Sequence, residues 1–253
     1  MKVLITFALA NEFAPWRKLR RFERVSAGAS DQTYVARVGL CDVRVVLTGA
    51  GRFAAQRAVA DVFDGDPDVC IASGLSGSLK PTYAPGEVLA ARMVADVKGT
   101  RLLHCDPELV ARAEVSGATI VEKFLVSDLV ISTAQEKSAL SASGDAVDME
   151  SLYILAAAAQ RGIRSVAIRA ISDGVDSNLP LDFDTVFDER GAVSIPKVIG
   201  QVMRKPGRIP GLLRLANESE RAAAALAQFL ERYIQGVAAG PLPEIAKAEA
   251  LAV

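Results

Sequence analysis

Short apolar runs alternate with segments of helical pattern along the first 175 positions of the chain. Runs rich in Val, Ile and Leu predict buried strands, and apolar residues three or four positions apart predict helices. The predicted strands cover 2–7, 34–38, 43–48, 68–72, 87–94, 118–126 and 165–171, with a hairpin connection at 39–42, and the predicted helices cover 54–63, 106–115 and 148–160. Continuous apolar strands between helices favour a mostly parallel sheet that is covered on both faces.

The pattern changes after position 178. An acidic loop is predicted over 179–191, with Asp182, Asp184, Asp188 and Glu189, and is followed by an apolar segment at 197–203 and a basic segment with prolines at 204–214. A long helix is predicted over 217–234. We expect one domain over 1–240 with a helical elaboration over about 192–235, and a flexible tail over 241–253.

Composition narrows the classes of function. The chain has 253 residues, is 51% hydrophobic and carries a net charge of −1, so it can bury a sizeable core and has no global attraction to nucleic acid. Its three cysteines lack paired spacing, which argues against a disulfide framework or a zinc site and favours a cytoplasmic location. The single histidine, His104, makes a catalytic Ser-His-Asp triad a poor interpretation.

Two glycine-rich segments follow predicted strands. The segment 48–52 is either a tight turn or a backbone cradle for an anion or a sugar, and it lacks the complete dinucleotide and P-loop fingerprints. The segment 73–78 contains Gly74, Leu75 and Ser76 and is predicted to be a loop. It is either a simple turn or part of a ligand site at the carboxyl ends of the strands.

Three carboxylates are predicted at the same edge of the sheet. Glu12 follows the first strand, Glu150 lies early in the helix predicted over 148–160, and Asp173 follows the strand 165–171. Each alone also fits an ordinary structural role at a helix start or in a turn. Together they match the cleavage of a purine from ribose. Asp173 would protonate N7, Glu150 would hold the ribose hydroxyls against a cationic sugar, and Glu12 would activate water.

The motifs around these residues resemble the nucleoside phosphorylase/nucleosidase superfamily, above all its methylthioadenosine/S-adenosylhomocysteine nucleosidase branch. They are Ser-Gly-Leu-Ser-Gly-Ser-Leu-Lys-Pro from Ser73, Pro-Gly-Glu-Val from Pro85, the pair Met149 and Glu150, and Arg-Ala-Ile-Ser-Asp at 169–173. The resemblance covers roughly 1–183. It implies an α/β fold: a three-layer α/β/α sandwich with a central mixed, partly barrelled sheet, without a metal or other cofactor. It also implies a homo-oligomer: dimers, trimers and hexamers all occur in the family, and we expect a dimer here.

The resemblance assigns further contacts to the same site. Asp173 and Ser172 would bind the base, with the backbone of Leu129 and Val130 beside it. Met149 would pack under the ribose that Glu150 holds. Gly74, Leu75 and Ser76 would line the sugar side.

Two departures from the family pattern bear on the reaction. Leu75 stands where the family has Ser or Thr, and Ala72 stands where the phosphorylases have Arg. The loss of two polar phosphate contacts favours water as the nucleophile, and therefore hydrolysis of a 5′-modified adenosine with release of adenine. A phosphate-dependent purine nucleoside phosphorylase and a non-catalytic nucleoside-binding protein stay open as alternatives.

The C-terminal part, from 197 to 230, resembles the hopanoid-associated branch, which removes adenine from adenosylhopane. Its basic segment holds Arg204, Lys205, Arg208 and Arg214 around Ile209, Leu212 and Leu213. This composition fits a weak membrane-surface contact or a solvated run of charges beside a helix.

Overall fold

The computed structural model of the chain describes residues 1–27, 30–63, 65–186 and 191–238. The strands are β1 Lys2–Phe7, β2 Glu23–Ala27, β3 Ser30–Val38, β4 Cys41–Leu47, β5 Val69–Ser78, β6 Val88–Asp96, β7 Leu102–His104, β8 Thr119–Val126, β9 Ala146–Asp148 and β10 Arg164–Asp173. The helices are α1 Ala10–Leu19, α2 Arg52–Val62, α3 Pro107–Val115, α4 Ala134–Leu140, α5 Ser151–Gln160, α6 Phe183–Val186, α7 Ile195–Arg204 and α8 Ile209–Ala238. Asp188, Glu189 and the tail predicted over 241–253 lie outside the described residues.

The sheet is mixed and closes in part on itself. β5, β10, β6, β8 and β9 form a closed barrel, because β10 pairs with both β5 and β6 and β9 joins β8 to β5. β1 extends the sheet as the parallel neighbour of β5, and β4, β3 and β2 follow it. The mixed, partly barrelled sheet is thus confirmed. Among the described residues, five strand pairings are parallel, as the apolar pattern indicated, and five are antiparallel, among them the hairpin predicted at 39–42 and the pairing of β6 with β10.

Helices cover the two faces of the sheet. α1 and α3 contact α8 on one face, and α2 contacts α5 on the other. α8 buries Leu226, Leu230 and Ile234 against the sheet, and its Glu231 accepts a hydrogen bond of 2.9 Å from Trp16 Nε1 of α1. Arg20, at the end of α1, also pairs with Glu231, so the layered fold rests on apolar helix faces and on polar contacts at Glu231.

Two predicted elements differ from the structure at the points that matter for the site. The segment 73–78 is not a loop, because β5 continues to Ser78 by pairing with β10 as far as Gly77 and with β9 at Gly77 and Ser78. The helix predicted over 148–160 begins only at Ser151. Asp148 ends β9 and accepts hydrogen bonds of 2.8 Å from the amides of Glu150 and Ser151.

The C-terminal helix is longer than its pattern indicated. α8 begins at Ile209, eight positions before the predicted start, after a 3-10 turn at Pro206–Arg208. Pro210 does not break the helix because it stands in the first turn, where the missing amide hydrogen would have no partner. The basic segment is therefore mostly helical.

Candidate active site

The predicted site residues meet at one cavity of about 170 Å³. It lies where the carboxyl ends of β1, β5 and β10 approach the start of α5. Nine of the ten predicted residues line it: Glu12, Leu75, Ser76, Leu129, Val130, Met149, Glu150, Ser172 and Asp173. Gly74, the tenth, lies directly beside Glu12.

A buried guanidinium organises the side of this cavity where Glu12 and Glu150 lie. Arg169 of β10 is 1% exposed, and its Nε and Nη2 atoms donate to Ser151 Oγ at 3.2 and 2.9 Å. Its Nη2 atom lies 3.3 Å from Asp148 Oδ1 and 3.6 Å from Glu150 Oε2. A buried charge is tolerated only when it is paired and hydrogen-bonded, so this arginine fixes both carboxylates.

Glu12 is buried and held by backbone amides. Its Oε2 atom accepts hydrogen bonds from the amides of Ala8 and Leu9 at 2.9 and 3.0 Å, and its Oε1 atom accepts one from Leu75 at 3.1 Å. Burial raises the pKa of Glu12, opposed by the charge of Arg169 and by these amides. A carboxylate with a raised pKa is a suitable base for a water molecule near neutral pH.

Gly74 allows this arrangement to form. Its φ is +142°, and a Cβ atom there would lie 2.5 Å from Arg169 Nη1 and 3.1 Å from Glu12 Oε2. Both the backbone conformation and the close approach require glycine. Gly74 therefore acts by giving room to two charged side chains.

Glu150 occupies the N-cap position of α5, and its side chain faces the turn before α2 instead of capping the helix. Its Oε1 atom accepts a hydrogen bond of 2.7 Å from the amide of Gly51. The glycine turn at 48–52, predicted as either a tight turn or a cradle for a ligand, thus donates the Gly51 amide to the carboxylate of Glu150. Burial raises the pKa of Glu150 to about 7, against the lowering effect of Arg169, and Asp148 adds to the rise.

Two buried polar atoms in the cavity wall retain unused hydrogen-bonding capacity. Among the described residues, Asp148 Oδ2 and Ser76 Oγ have no hydrogen-bond partner. Buried polar atoms are nearly always satisfied, so these two atoms are exceptions within the cavity wall. Asp148 was not predicted as a site residue, although it lies two residues before Glu150 and lines the same wall.

Asp173 lies on the other side of the cavity with a different partner. Its Oδ1 atom accepts a hydrogen bond of 2.6 Å from Ser172 Oγ, and its Oδ2 atom forms an ion pair with Lys137 of α4. Neither Lys137 nor α4 was predicted. The signal was present, because Thr133 and Glu136 form the Thr-x-x-Glu capping box that starts this helix.

The rim of the cavity is apolar. Leu129, Val130, Ile131 and Leu179 line it, and Leu129 is largely exposed. A second, larger groove of about 610 Å³ lies at the opposite edge, beside the start of β1, and is lined by residues such as Lys2, Arg21 and Arg44. None of the predicted site residues faces that groove, and ligands in open α/β sheets bind at the carboxyl edge.

The raised pKa of Glu150 predicts a titration that can be observed directly. With 13C-labelled glutamate side chains, one carboxyl carbon should titrate near pH 7 by NMR, because burial disfavours its charged form. This signal should be absent in Glu150→Gln. Since the pKa is higher than in the unfolded chain, ionisation opposes folding, and the free energy of unfolding should fall as the pH rises from about 4.5 to about 7. Titration of every labelled glutamate below pH 5 would contradict this assignment.

Comparison with known proteins places the chain in a family and shows which solved structures share its fold. The family model of the phosphorylase superfamily matches residues 2–204. A search of curated proteins gave no match. A Helicobacter pylori nucleosidase variant solved with 5′-methylthioadenosine in its active site is 16% identical, with a TM-score of 0.71 over 92% of this chain and 97% of its own.

Two further solved structures share the fold at similar distance. A 5′-methylthioadenosine/S-adenosylhomocysteine nucleosidase from S. pneumoniae, solved with a transition-state inhibitor, is 17% identical, with a TM-score of 0.71 over 94% of this chain and 100% of its own. A futalosine hydrolase variant from Helicobacter pylori is 15% identical, with a TM-score of 0.70 over 92% of this chain and 98% of its own. With a family model that matches most of its length and a site at the expected edge of the sheet, the chain belongs to the phosphorylase superfamily.

Proposed function

We propose that this protein hydrolyses the N-glycosidic bond of a 5′-modified adenosine and releases adenine. The observation that carries the proposal is the placement of three buried carboxylates, Glu12, Glu150 and Asp173, around one cavity with three different sets of partners. Different surroundings give carboxylates different acid and base roles. The sequence analysis predicted these three residues for the three tasks of this reaction.

The roles follow from the partners. Asp173 protonates N7 as the base departs, and Ser172 supports its carboxyl group. Glu150 accepts hydrogen bonds from the ribose hydroxyls, and its charge stabilises the sugar as C1′ becomes cationic. Glu12 takes a proton from the attacking water. Met149 would lie under the sugar, and Leu129 and Val130 would lie near the base.

Charge balance supports water over phosphate as the nucleophile. Arg169, the buried cation nearest to Glu12, is already faced by Asp148, Glu150 and Glu12. A phosphate dianion entering beside these carboxylates would be repelled, whereas a neutral water molecule would not. Ala72 is buried and apolar where a phosphorylase would have an arginine.

The 5′-substituent is proposed to be apolar, because Leu129, Val130, Ile131 and Leu179 line the rim. A methylthio group and a hopane-like lipid both fit this chemistry, and the solved relative with 5′-methylthioadenosine in its active site supports the first. The homodimer and the cytoplasmic location expected from the sequence stay predictions.

The direct test is release of free adenine. The enzyme should release it from methylthioadenosine, adenosylhomocysteine or an adenosylated lipid without phosphate. Asp173→Asn should lower kcat by about 10²-fold or more, because proton transfer by a positioned side chain contributes typically that much, while the nucleoside still binds. Adenine release is followed by chromatography and nucleoside binding by calorimetry.

Asp145→Asn is the matched control for this variant. Asp145 is also a buried aspartate paired with a lysine, Lys80, but it does not line the cavity. It should keep the wild-type kcat in the folded fraction. Strict dependence on phosphate with a sugar 1-phosphate product would establish the phosphorylase instead. Nucleoside binding without turnover would establish a non-catalytic binding protein.

We also propose a weak contact between α7, the start of α8 and an anionic membrane surface. Ile195, Ile199 and Met203 follow each other at intervals of four residues, so they share one face of α7, and they are 62%, 53% and 78% exposed. Ile209 and Leu213 are exposed in the same manner on α8. An exposed apolar face beside basic residues is typical of helices that lie at a lipid surface.

The position of this surface suits an apolar substrate. Arg208 Nη1 donates to the carbonyl oxygen of Pro180 at 3.1 Å, next to the rim residue Leu179. A lipid-like 5′-substituent could therefore pass from the surface to the rim over a short distance. Within the described residues, no helix is long and apolar enough to cross a membrane.

Liposome co-sedimentation tests this contact. The wild-type protein should sediment with anionic vesicles more than with neutral ones, and Arg204→Glu/Lys205→Glu should lose the difference because anionic lipid then repels the surface. Lys18→Glu/Lys98→Glu changes the net charge equally at exposed positions elsewhere and should behave as the wild type. Equal, negligible sedimentation of all three proteins would remove the proposal.

A further inference from the structure

Resting on the proposed function, we propose that Lys137 is a positioning residue for base release. Its buried ammonium group holds the carboxyl group of Asp173 and balances the negative charge that Asp173 acquires when it gives its proton to N7.

The geometry of Lys137 is that of a fully engaged buried cation. Its side chain is entirely buried, and Nζ donates to Asp173 Oδ2, to the carbonyl oxygen of Gly174 at 2.9 Å and to that of Ser177 at 3.1 Å. An ammonium group has three donors, and all three are used. The lysine therefore joins α4 to the end of β10 and to the segment that follows it.

Stability alone does not account for this pair. Buried ion pairs can often be replaced by apolar residues without loss of stability, because desolvation offsets their attraction. The absence of a side chain at Gly77 also leaves space for the pair, because a Cβ atom there would lie 3.1 Å from Asp173 Oδ2 and 3.6 Å from Lys137 Cε. A buried cation retained on the cavity-lining acid therefore points to a role in the reaction.

The reaction shows what that role is. The C1′–N9 bond breaks and its electron pair passes into the purine, while the proton of Asp173 moves to N7. Water oxygen bonds to C1′ and its proton goes to Glu12. Lys137 keeps its own protons throughout, and its charge favours the ionised form of Asp173 that the step produces.

The site thus separates two kinds of acid. Burial raises the pKa of Glu12 and Glu150, and the one buried cation that they share, Arg169, opposes that rise only in part. Asp173 has a buried cation of its own, the ammonium group of Lys137. Lys137 sets this difference, although it does not line the cavity.

The test compares wild type, Lys137→Gln and Lys137→Arg in adenine release across pH. Lys137→Gln should lower kcat by at least about 10-fold, with a smaller change in KM, because the loss falls on the transition state. The pH above which kcat declines should move upward, since the carboxyl group keeps its proton longer without a neighbouring charge. Lys137→Arg should return the pH at which kcat begins to decline to its wild-type value. Lys80→Gln, which removes the partner of Asp145 outside the cavity, should not move this pH.

A merely structural lysine would give another result. Lys137→Gln would then lose activity in proportion to its folded fraction, measured by thermal unfolding, with the pH at which kcat begins to decline unmoved, and the proposal would be overturned. If Lys137→Gln does not fold, Lys137→Met takes its place, because methionine has a similar length and adapts well to buried sites. If neither folds, the role is structural and the proposal falls.

A binding measurement separates this proposal from the proposed function. 9-Deazaadenosine has a carbon–carbon glycosidic bond that cannot be hydrolysed, and its N7 carries a hydrogen that a carboxylate accepts. The pH below which its affinity is lost should be higher for Lys137→Gln than for wild type, even if no nucleoside is hydrolysed. In that case the proposed function fails and the role of Lys137 towards Asp173 stands. Equal pH dependence in the two proteins, or no binding by wild type, would overturn the role of Lys137.

Discussion

The site depends on one constraint, the burial of the Arg169 guanidinium beneath the carboxyl edge of the sheet. A charged group removed from water needs partners on every side, and here they come from elements that are distant in sequence. Asp148 comes from the end of β9, Glu150 and Ser151 come from the start of α5, and the carbonyl oxygen of Leu75 in β5 lies 3.5 Å away. Satisfying one arginine therefore brings these parts of the cavity together.

This constraint also divides the chemistry of the cavity. Beside Arg169, burial raises the pKa of both Glu12 and Glu150, and the charge of the arginine opposes the rise. On the other side of the cavity, the carboxyl group of Asp173 is paired with the ammonium group of Lys137. The carboxyl groups of the two walls therefore have different surroundings, which is how a protein gives acids of one kind different roles.

Local sequence patterns predicted the strands and the edge of the sheet at which the acids meet, because apolar runs and strand ends can be recognised from consecutive residues. They could not predict that β5 continues through its glycines to Ser78, since the pairing that stabilises this end comes from β9 and β10. Barrel closure was likewise available only through the family resemblance. Lys137 was not predicted as a site residue because its partner, Asp173, is 36 residues away. A lysine in a short polar segment also has the pattern of a solvated side chain. For α7, the helical elaboration expected over about 192–235 was predicted, but the exposure of the apolar residues of this helix was not.

The most direct measurement of the central claim is a crystal structure of the protein with 9-deazaadenosine bound. We expect the analogue in the cavity of about 170 Å³, with N7 within hydrogen-bonding distance of Asp173 and the ribose hydroxyls on Glu150. We also expect a water molecule between Glu12 and C1′. An analogue bound in the groove beside the start of β1, or one with its base on Glu150 and its ribose on Asp173, would contradict the proposed roles.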